Sequence, residues 1–196
     1  EGRIAAKAAI AYIVDNNDTP NVDAAKVEEL KKIILNPLNL FEENKGKTTD
    51  PDINPEYIRP KMFMFRLQKI MDEYAGGVST DFTTSKPMLE KGLDLLTFLK
   101  EDSVKLGAED HHELTRAWEN VHRMWQAEAH VRTVLFRDET RWPGYYFRAD
   151  KPGINEQDWV SFANCKYDPK TNAWEMIKRD VKHVFPKAKD HELLGG

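Results

Sequence analysis

The residues of this 196-residue chain with the chemistry to act are six histidines, one cysteine and a run of alternating acids. None falls into a spacing that specifies a reaction. His111, His112 and Glu113 open a long helical stretch, but a His-Glu-x-x-His zinc motif needs histidine at position 116, which is Arg116. His122 and His130 lie too far apart along the helix to share one ion, so they read as solvated or hydrogen-bonding side chains. Asp50, Asp52, Asn54 and Glu56 alternate like the start of a calcium loop. The sixth position, however, is Pro55 where a glycine must turn, and the twelfth is Lys61 where a bidentate glutamate belongs. The stretch reads as a polar loop.

Cys165 stands alone, which rules out an intrachain disulfide and a metal site built from cysteines. It sits among aromatics with no neighbour to lower its pKa, so it reads as packing and not as a nucleophile. One cysteine fits a reducing compartment, and the expected location is the cytoplasm. Gly76 and Gly77 follow a helix instead of preceding one, the wrong order for a phosphate cradle. The net charge of −4, with both signs interspersed, argues against nucleic acid as a partner. No apolar run approaches the roughly 20 residues of a membrane span. Catalytic, cofactor-binding and metal-binding residues are therefore all expected to be absent from this stretch of chain.

The elements that would position any site are mostly helical. Residues 3–14 form an Ala-rich helix with Ile4, Ala8, Tyr12 and Ile13 on one face. It opens in mid-helix with no capping residue, as if continued from upstream. Residues 22–35 form a second helix, and Asn36-Pro37 restarts the chain into a short one ending near Lys45 and Gly46. A polar loop over 47–55 leads into a helix from Asn54-Pro55 to Tyr74, with Met62, Phe65, Ile70 and Tyr74 toward the core. Leu89, Leu93, Leu96 and Leu99 mark a helix over 87–106, closed by Gly107 as its C-cap. Residues 109–136 form the longest helix, with Leu114, Trp118, Val121 and Trp125 as a heptad-like seam extended by Val131 and Leu135. The Trp and Met residues read as core or interface.

The character changes at Arg141. Trp142, Pro143 and Gly144 make a turn, followed by the aromatics Tyr145, Tyr146 and Phe147. Residues 158–167 and 173–177 are extended, and Asp168-Pro-Lys-Thr-Asn172 between them is hairpin-turn chemistry. The expected fold class is mainly α: an antiparallel three-helix bundle of spectrin-repeat type, preceded by shorter helices and followed by a small β-hairpin. The expected division is 1–46 for the opening helices, 47–140 for the bundle, 141–186 for the turn and hairpin, and 187–196 for a frayed tail.

Two stretches resemble a known family. Gly2, Arg3, Ile4, Ala5, Ala6, Lys7, Ala8 and Ala9 resemble the Gly-Arg-x-Ala helix that follows the flavin-binding segment of the succinate dehydrogenase and fumarate reductase flavoprotein superfamily. That superfamily also carries Arg-x-Glu-Ser-Arg-Gly-x-His-x-Arg-x-Asp-x-Pro and a later Trp. Arg137, Glu139, Arg141, Arg148, Asp150, Pro152 and Trp159 match it. Thr140 stands for Ser, Trp142 for Gly and Tyr146 for His, and the interval from Arg141 to Arg148 is wider by two residues; these departures weigh against a succinate or fumarate activity. The variant looks like the alpha-subunit family of dissimilatory adenylylsulfate reductases, over essentially the whole chain.

The resemblance implies the C-terminal portion of an FAD-containing oxidoreductase subunit of sulfate reduction. Its partners would be the upstream flavin domain and a beta subunit carrying iron–sulfur clusters. It also implies that flavin and substrate contacts precede residue 1, so FAD belongs to the parent subunit and none to this portion. Arg137, Glu139, Arg141, Arg148, Asp150 and Trp159 are then structural or docking residues that fix the turn from the bundle onto its neighbour. A competing reading has Arg141 or Arg148 reaching toward the active site or the beta subunit. Two further alternatives are a self-contained helical interaction module and the same superfamily with a dicarboxylate substrate. A docked domain would show an apolar face when isolated, at residues 3–14 and 142–147, and such a face can drive self-association.

Overall fold

The computed structural model describes residues 1–16, 21–141 and 145–182. The expected turn at 142–144 and the tail at 187–196 lie outside them. The described elements, in order, are α1 (Gly2–Asp15), α2 (Ala24–Asn44), α3 (Pro60–Tyr74), β1 (Thr83–Thr84), α4 (Lys86–Asp102), α5 (His111–Phe136), β2 (Phe147–Arg148), α6 (Glu156–Trp159), β3 (Ser161–Asp168) and β4 (Ala173–Asp180). The chain is mainly helical with a small antiparallel hairpin. It divides into two units, Glu1–Asn36 and Pro37–Gly196. No helix among the described residues is long and apolar enough to cross a membrane.

In the first unit, α1 buries none of its residues. Ile4, Ile10, Tyr12, Ile13 and Val14 remain between 64% and 75% exposed. Asn16 ends the helix by donating both its backbone N–H and its side-chain Nδ2 to the Tyr12 carbonyl. Asp23 begins α2 by accepting from the backbone N–H groups of Ala25 and Lys26. Leu30, Ile33 and Ile34 on α2 are also about half exposed.

Pro37 does not restart the chain: α2 runs through it as one helix. A proline inside a helix forfeits one backbone bond and costs about 3 kcal/mol. Here Pro37 is itself buried, together with Phe41 and Asn44, and its carbonyl accepts from Ala108. Tertiary packing overrides the local preference.

The second unit has its core where α3, α4 and α5 pack on one another, around Phe63, Leu67, Leu89, Leu96, Leu99, Met124, Val131 and Val134. The Leu ladder of α4 lies as its spacing requires. Two other faces are rotated from expectation. On α3 the buried residues are Phe63 and Leu67, while Met62 and Phe65 stay about half exposed. On α5 the buried line is Leu114, Ala117, Asn120, Met124, Ala127, Val131 and Val134, with Trp118, Val121 and Trp125 flanking it half-buried. Small residues on the inner line let the helices approach, and the large rings cover the edges. Asn120 is 2% exposed and ties α5 to the start of α3 through Nδ2 to the Pro60 carbonyl, 2.7 Å.

The boundaries also differ in two places. α3 starts at Pro60, since a proline is accommodated at the first helical position and disfavours helix in the residue before it. Arg59 is accordingly extended, with ψ 144°. Gly107 does not cap α4, which ends at Asp102. It is required because Tyr57 lies over it: a Cβ at 107 would stand 2.9 Å from the Tyr57 Cβ and Cγ. The acids at 50–56 form turns, with Asp50 accepting from the Asp52 N–H and Asn54 from the Glu56 N–H. Among the described residues no group of histidine, cysteine or acid side chains could hold a metal ion.

β3 and β4 pair antiparallel from Ser161↔Asp180 to Asp168↔Ala173, with the turn where the Asp-Pro-Lys-Thr-Asn stretch lies. β1 and β2 form a short parallel pair, Thr83↔Phe147 and Thr84↔Arg148, which sequence periodicity does not signal.

Candidate functional site

The matched residues converge where α5 ends. Arg137 leaves the helix as its C-cap, and β2, α6 and the start of β3 bring residues 147–161 back to it. An α-helix leaves its last carbonyls without partners and its C-terminus partially negative. Arg148 answers both needs. Its side chain has no exposed surface, and Nη1 donates to the carbonyls of Val134 (2.7 Å), Arg137 (3.3 Å) and Leu135 (3.5 Å). Nε and Nη2 make a bidentate pair with Asp150, 2.8 and 2.6 Å. That guanidinium holds the Asp150 carboxyl down at about 2. The Arg148 guanidinium is in turn raised by the bond to Asp150 against the opposing effect of burial.

Glu139 is the second node, and it too is wholly buried. Oε1 accepts from Arg137 Nε (2.7 Å) and Arg141 Nε (2.6 Å); Oε2 accepts from Arg141 Nη2 (3.0 Å) and the Asn155 backbone N–H (2.8 Å). Burial pushes this carboxyl up, but the bonds from Arg141, Asn155 and Arg137 outweigh it and leave it below its ordinary value. Arg137 also donates to the Ser161 and Trp159 carbonyls, 3.0 and 2.7 Å, and Arg141 to that of Trp159 at 3.3 Å. The Trp159 ring meets Phe136 edge-on at 5.4 Å, with the Arg137 guanidinium 5.5 Å and the Lys178 ammonium 4.6 Å from its centre.

Thr140, which stands for Ser in the motif, joins the set, and so does Thr84, which no motif marks. Thr140 Oγ1 accepts from the Arg148 N–H and donates to the Lys151 carbonyl; Thr84 Oγ1 donates to the Tyr74 carbonyl at the end of α3. Their signal is only that a hydroxyl is small enough to be buried beside backbone. Six of the seven matched residues, all but Pro152, thus fall in one cluster, with the guanidiniums of Arg137, Arg141 and Arg148 all paired within the chain. The arrangement orders backbone; it presents no nucleophile and no acid or base to solvent.

Gly76 and Gly77 follow α3, and a Cβ at Gly77 would collide with Asp72, so the turn is packed against its own helix. No family model matches the sequence.

Comparison with solved structures places the fold first. At 19% identity it is shared with a chain of the Mycobacterium smegmatis Sdh1 complex (TM-score 0.66, 95% of this chain and 30% of that one). At 16% identity it is shared with E. coli quinol fumarate reductase (TM-score 0.62, 88% and 28%). The fold is therefore one found in subunits of that reductase class.

The nearer relation is sequence-deep: the chain is homologous to the adenylylsulfate reductase alpha subunit. It is 44% identical over 186 residues to adenylylsulfate reductase subunit alpha of Megalodesulfovibrio gigas, covering 95% of this chain and 28% of the relative. It is 51% identical to the adenylylsulfate reductase structure from Archaeoglobus fulgidus, with a TM-score of 0.90, covering 96% of this chain and 29% of that one. The chain spans under a third of the length of the relatives it matches.

Proposed function

We propose that this chain is the C-terminal helical portion of the FAD-containing alpha subunit of an adenylylsulfate reductase. The whole subunit would interconvert adenylylsulfate plus two electrons with AMP plus sulfite, in the cytoplasm, receiving electrons from a beta subunit with iron–sulfur clusters. This portion would act in structure and docking and would have no activity alone. The observation that carries the reading is the identity of 44–51% across nearly the whole chain, which includes the Arg137–Trp159 stretch.

Two features support the docking role. Arg137, Glu139, Arg141, Arg148 and Asp150 satisfy one another and the end of α5, which suits a scaffold and leaves Arg148 no reach outward. The apolar side chains of α1 and α2 are exposed to an extent that a covering surface would relieve. The remaining two thirds of the relatives' length is the natural source of that cover.

The test compares the full-length subunit, together with its beta subunit, against this chain alone. The full assembly is expected to carry flavin absorbance and to release AMP and sulfite from adenylylsulfate with reductant; the chain alone is expected to do neither. Turnover by the chain alone would refute the docking role. Turnover of fumarate instead of adenylylsulfate would move the assignment to the dicarboxylate enzymes, and a full-length protein without flavin would favour a helical interaction module.

A further inference from the structure

Beside the hairpin, three aromatic rings from three elements cluster, two of them around one ammonium; the third, Trp174, carries the Arg132 guanidinium of α5, 5.7 Å from its centre. Trp125 of α5, Tyr167 of β3 and Trp174 of β4 have ring centres 4.5 Å (Trp125–Tyr167), 5.2 Å (Tyr167–Trp174) and 6.1 Å (Trp125–Trp174) apart. Lys100, near the end of α4, places its Nζ 3.8 Å from the Trp125 ring centre and 5.4 Å from that of Tyr167. The same Nζ lies 3.4 Å from Asn172 Oδ1, which also accepts from the Tyr167 hydroxyl at 2.8 Å. Asn172 is held in the left-handed region, φ 52°, so the hairpin turn itself supplies the oxygen.

Such a box is how proteins recognise alkylammonium groups: ring faces are negative, and several together replace water around a soft cation. A cleft of about 390 Å3 opens alongside, walled by Glu101 and Glu128 as well as Thr97, Arg132 and Asn172. Trp174 Nε1 is buried there with no hydrogen-bond partner, so the ring is held by its face and not by its polar edge.

We infer that Trp125, Tyr167 and the side-chain oxygen of Asn172 form an alkylammonium-binding site filled in cis by Lys100, with Trp174 beside it, which makes the hairpin's attachment to α4 a charge-dependent latch. Lys100 comes from α4, two of the rings from the hairpin and one from α5. The lysine thus ties α4 to the hairpin, while Trp125 and Arg132 join α5 to it directly. An uncharged side chain at 100 loosens the hairpin on its α4 side and leaves the site open to a free alkylammonium entering through the cleft.

The experiment uses the full-length subunit and reads hydrogen exchange of residues 161–168 and 173–180. K100M, which keeps length and loses charge, is expected to speed exchange there roughly 3- to 30-fold, the range a partly desolvated cation–π contact supports. Exchange in the core of α3, α4 and α5 should stay unchanged, which separates release of the hairpin from failure to fold. Tetramethylammonium should restore protection in K100M and have no effect on the wild type or on a K100M/W125A double variant. K100R should stay within about 3-fold of the wild type. Unchanged hairpin exchange in K100M would overturn the latch. Loss of protection that tetramethylammonium does not reverse would overturn the binding site and make Lys100 a packing residue.

Discussion

Replacing Glu139 with glutamine tests the buried cluster with the smallest possible change of shape. The carboxylate accepts four hydrogen bonds, two on each oxygen, and three of them come from guanidinium nitrogens. A carboxamide keeps one oxygen and puts an NH2 where the other was. Whichever way it is turned, two donors then face a donor. Two lost charge-assisted bonds would cost about 3–6 kcal/mol, and breaking a buried ion pair by removing one partner costs about 3–5 kcal/mol. These describe the same loss and are not added. Arg137 and Arg141 are 14% and 22% exposed, so water relieves part of it. The expected destabilisation is therefore about 3 kcal/mol, a fall in melting temperature of roughly 6–12 °C for a chain of this size. The assay is thermal unfolding followed by circular dichroism at neutral pH. A variant replacing all three residues at once, R137M, E139L and R141M, should recover most of the loss, because no charge is then stranded. A melting temperature for E139Q within about 2 °C of the wild type would refute the claim that the carboxylate organises this region.

Two further outcomes follow from the same geometry. Asp150 titrates at about 2 against an ordinary 3.8, so its pairing with Arg148 stabilises fully above about pH 4 and is lost as the pH falls through about 2. With solvent screening at this exposed residue the contribution is about 1 kcal/mol, and urea midpoints measured from pH 5 down to 2 should fall less steeply in D150N than in the wild type; parallel curves would remove Asp150 from the account. Gly107→Ala should cost about 1–3 kcal/mol by pressing a methyl onto Tyr57, read as a lower urea midpoint with unchanged helical circular dichroism; a neutral result would mean that Tyr57 moves aside freely.

Much of the architecture was legible because some segments carry a single unambiguous signal. The Leu ladder of α4 leaves one face to bury, and the Asp-Pro-Lys-Thr-Asn turn between two β-rich runs leaves one way to pair. The faces of α3 and α5 were misread because each helix is apolar on more than one side. Met62 and Phe65 compete with Phe63 and Leu67, and the tryptophans of α5 outshine Ala117, Asn120 and Ala127, which let the helices close. Pro37 misled because its burial is a tertiary fact. The cluster residues were found through a shared motif, yet their arrangement was not legible. Many of their partners are backbone carbonyls, at Val134, Trp159 and Ser161, which carry no side-chain signature.

The end of α5 depends on a residue well beyond it in the chain. Arg148 donates to the Val134 carbonyl from β2, whose pairing with β1 joins positions separated by roughly sixty residues. The last turn of the longest helix thus takes its carbonyl partners from a part of the chain that follows it. On a ribosome, α5 would emerge whole and still wait for the next dozen or so residues before its final carbonyls found their donor. Until then that end would be the frayed part of an otherwise settled core.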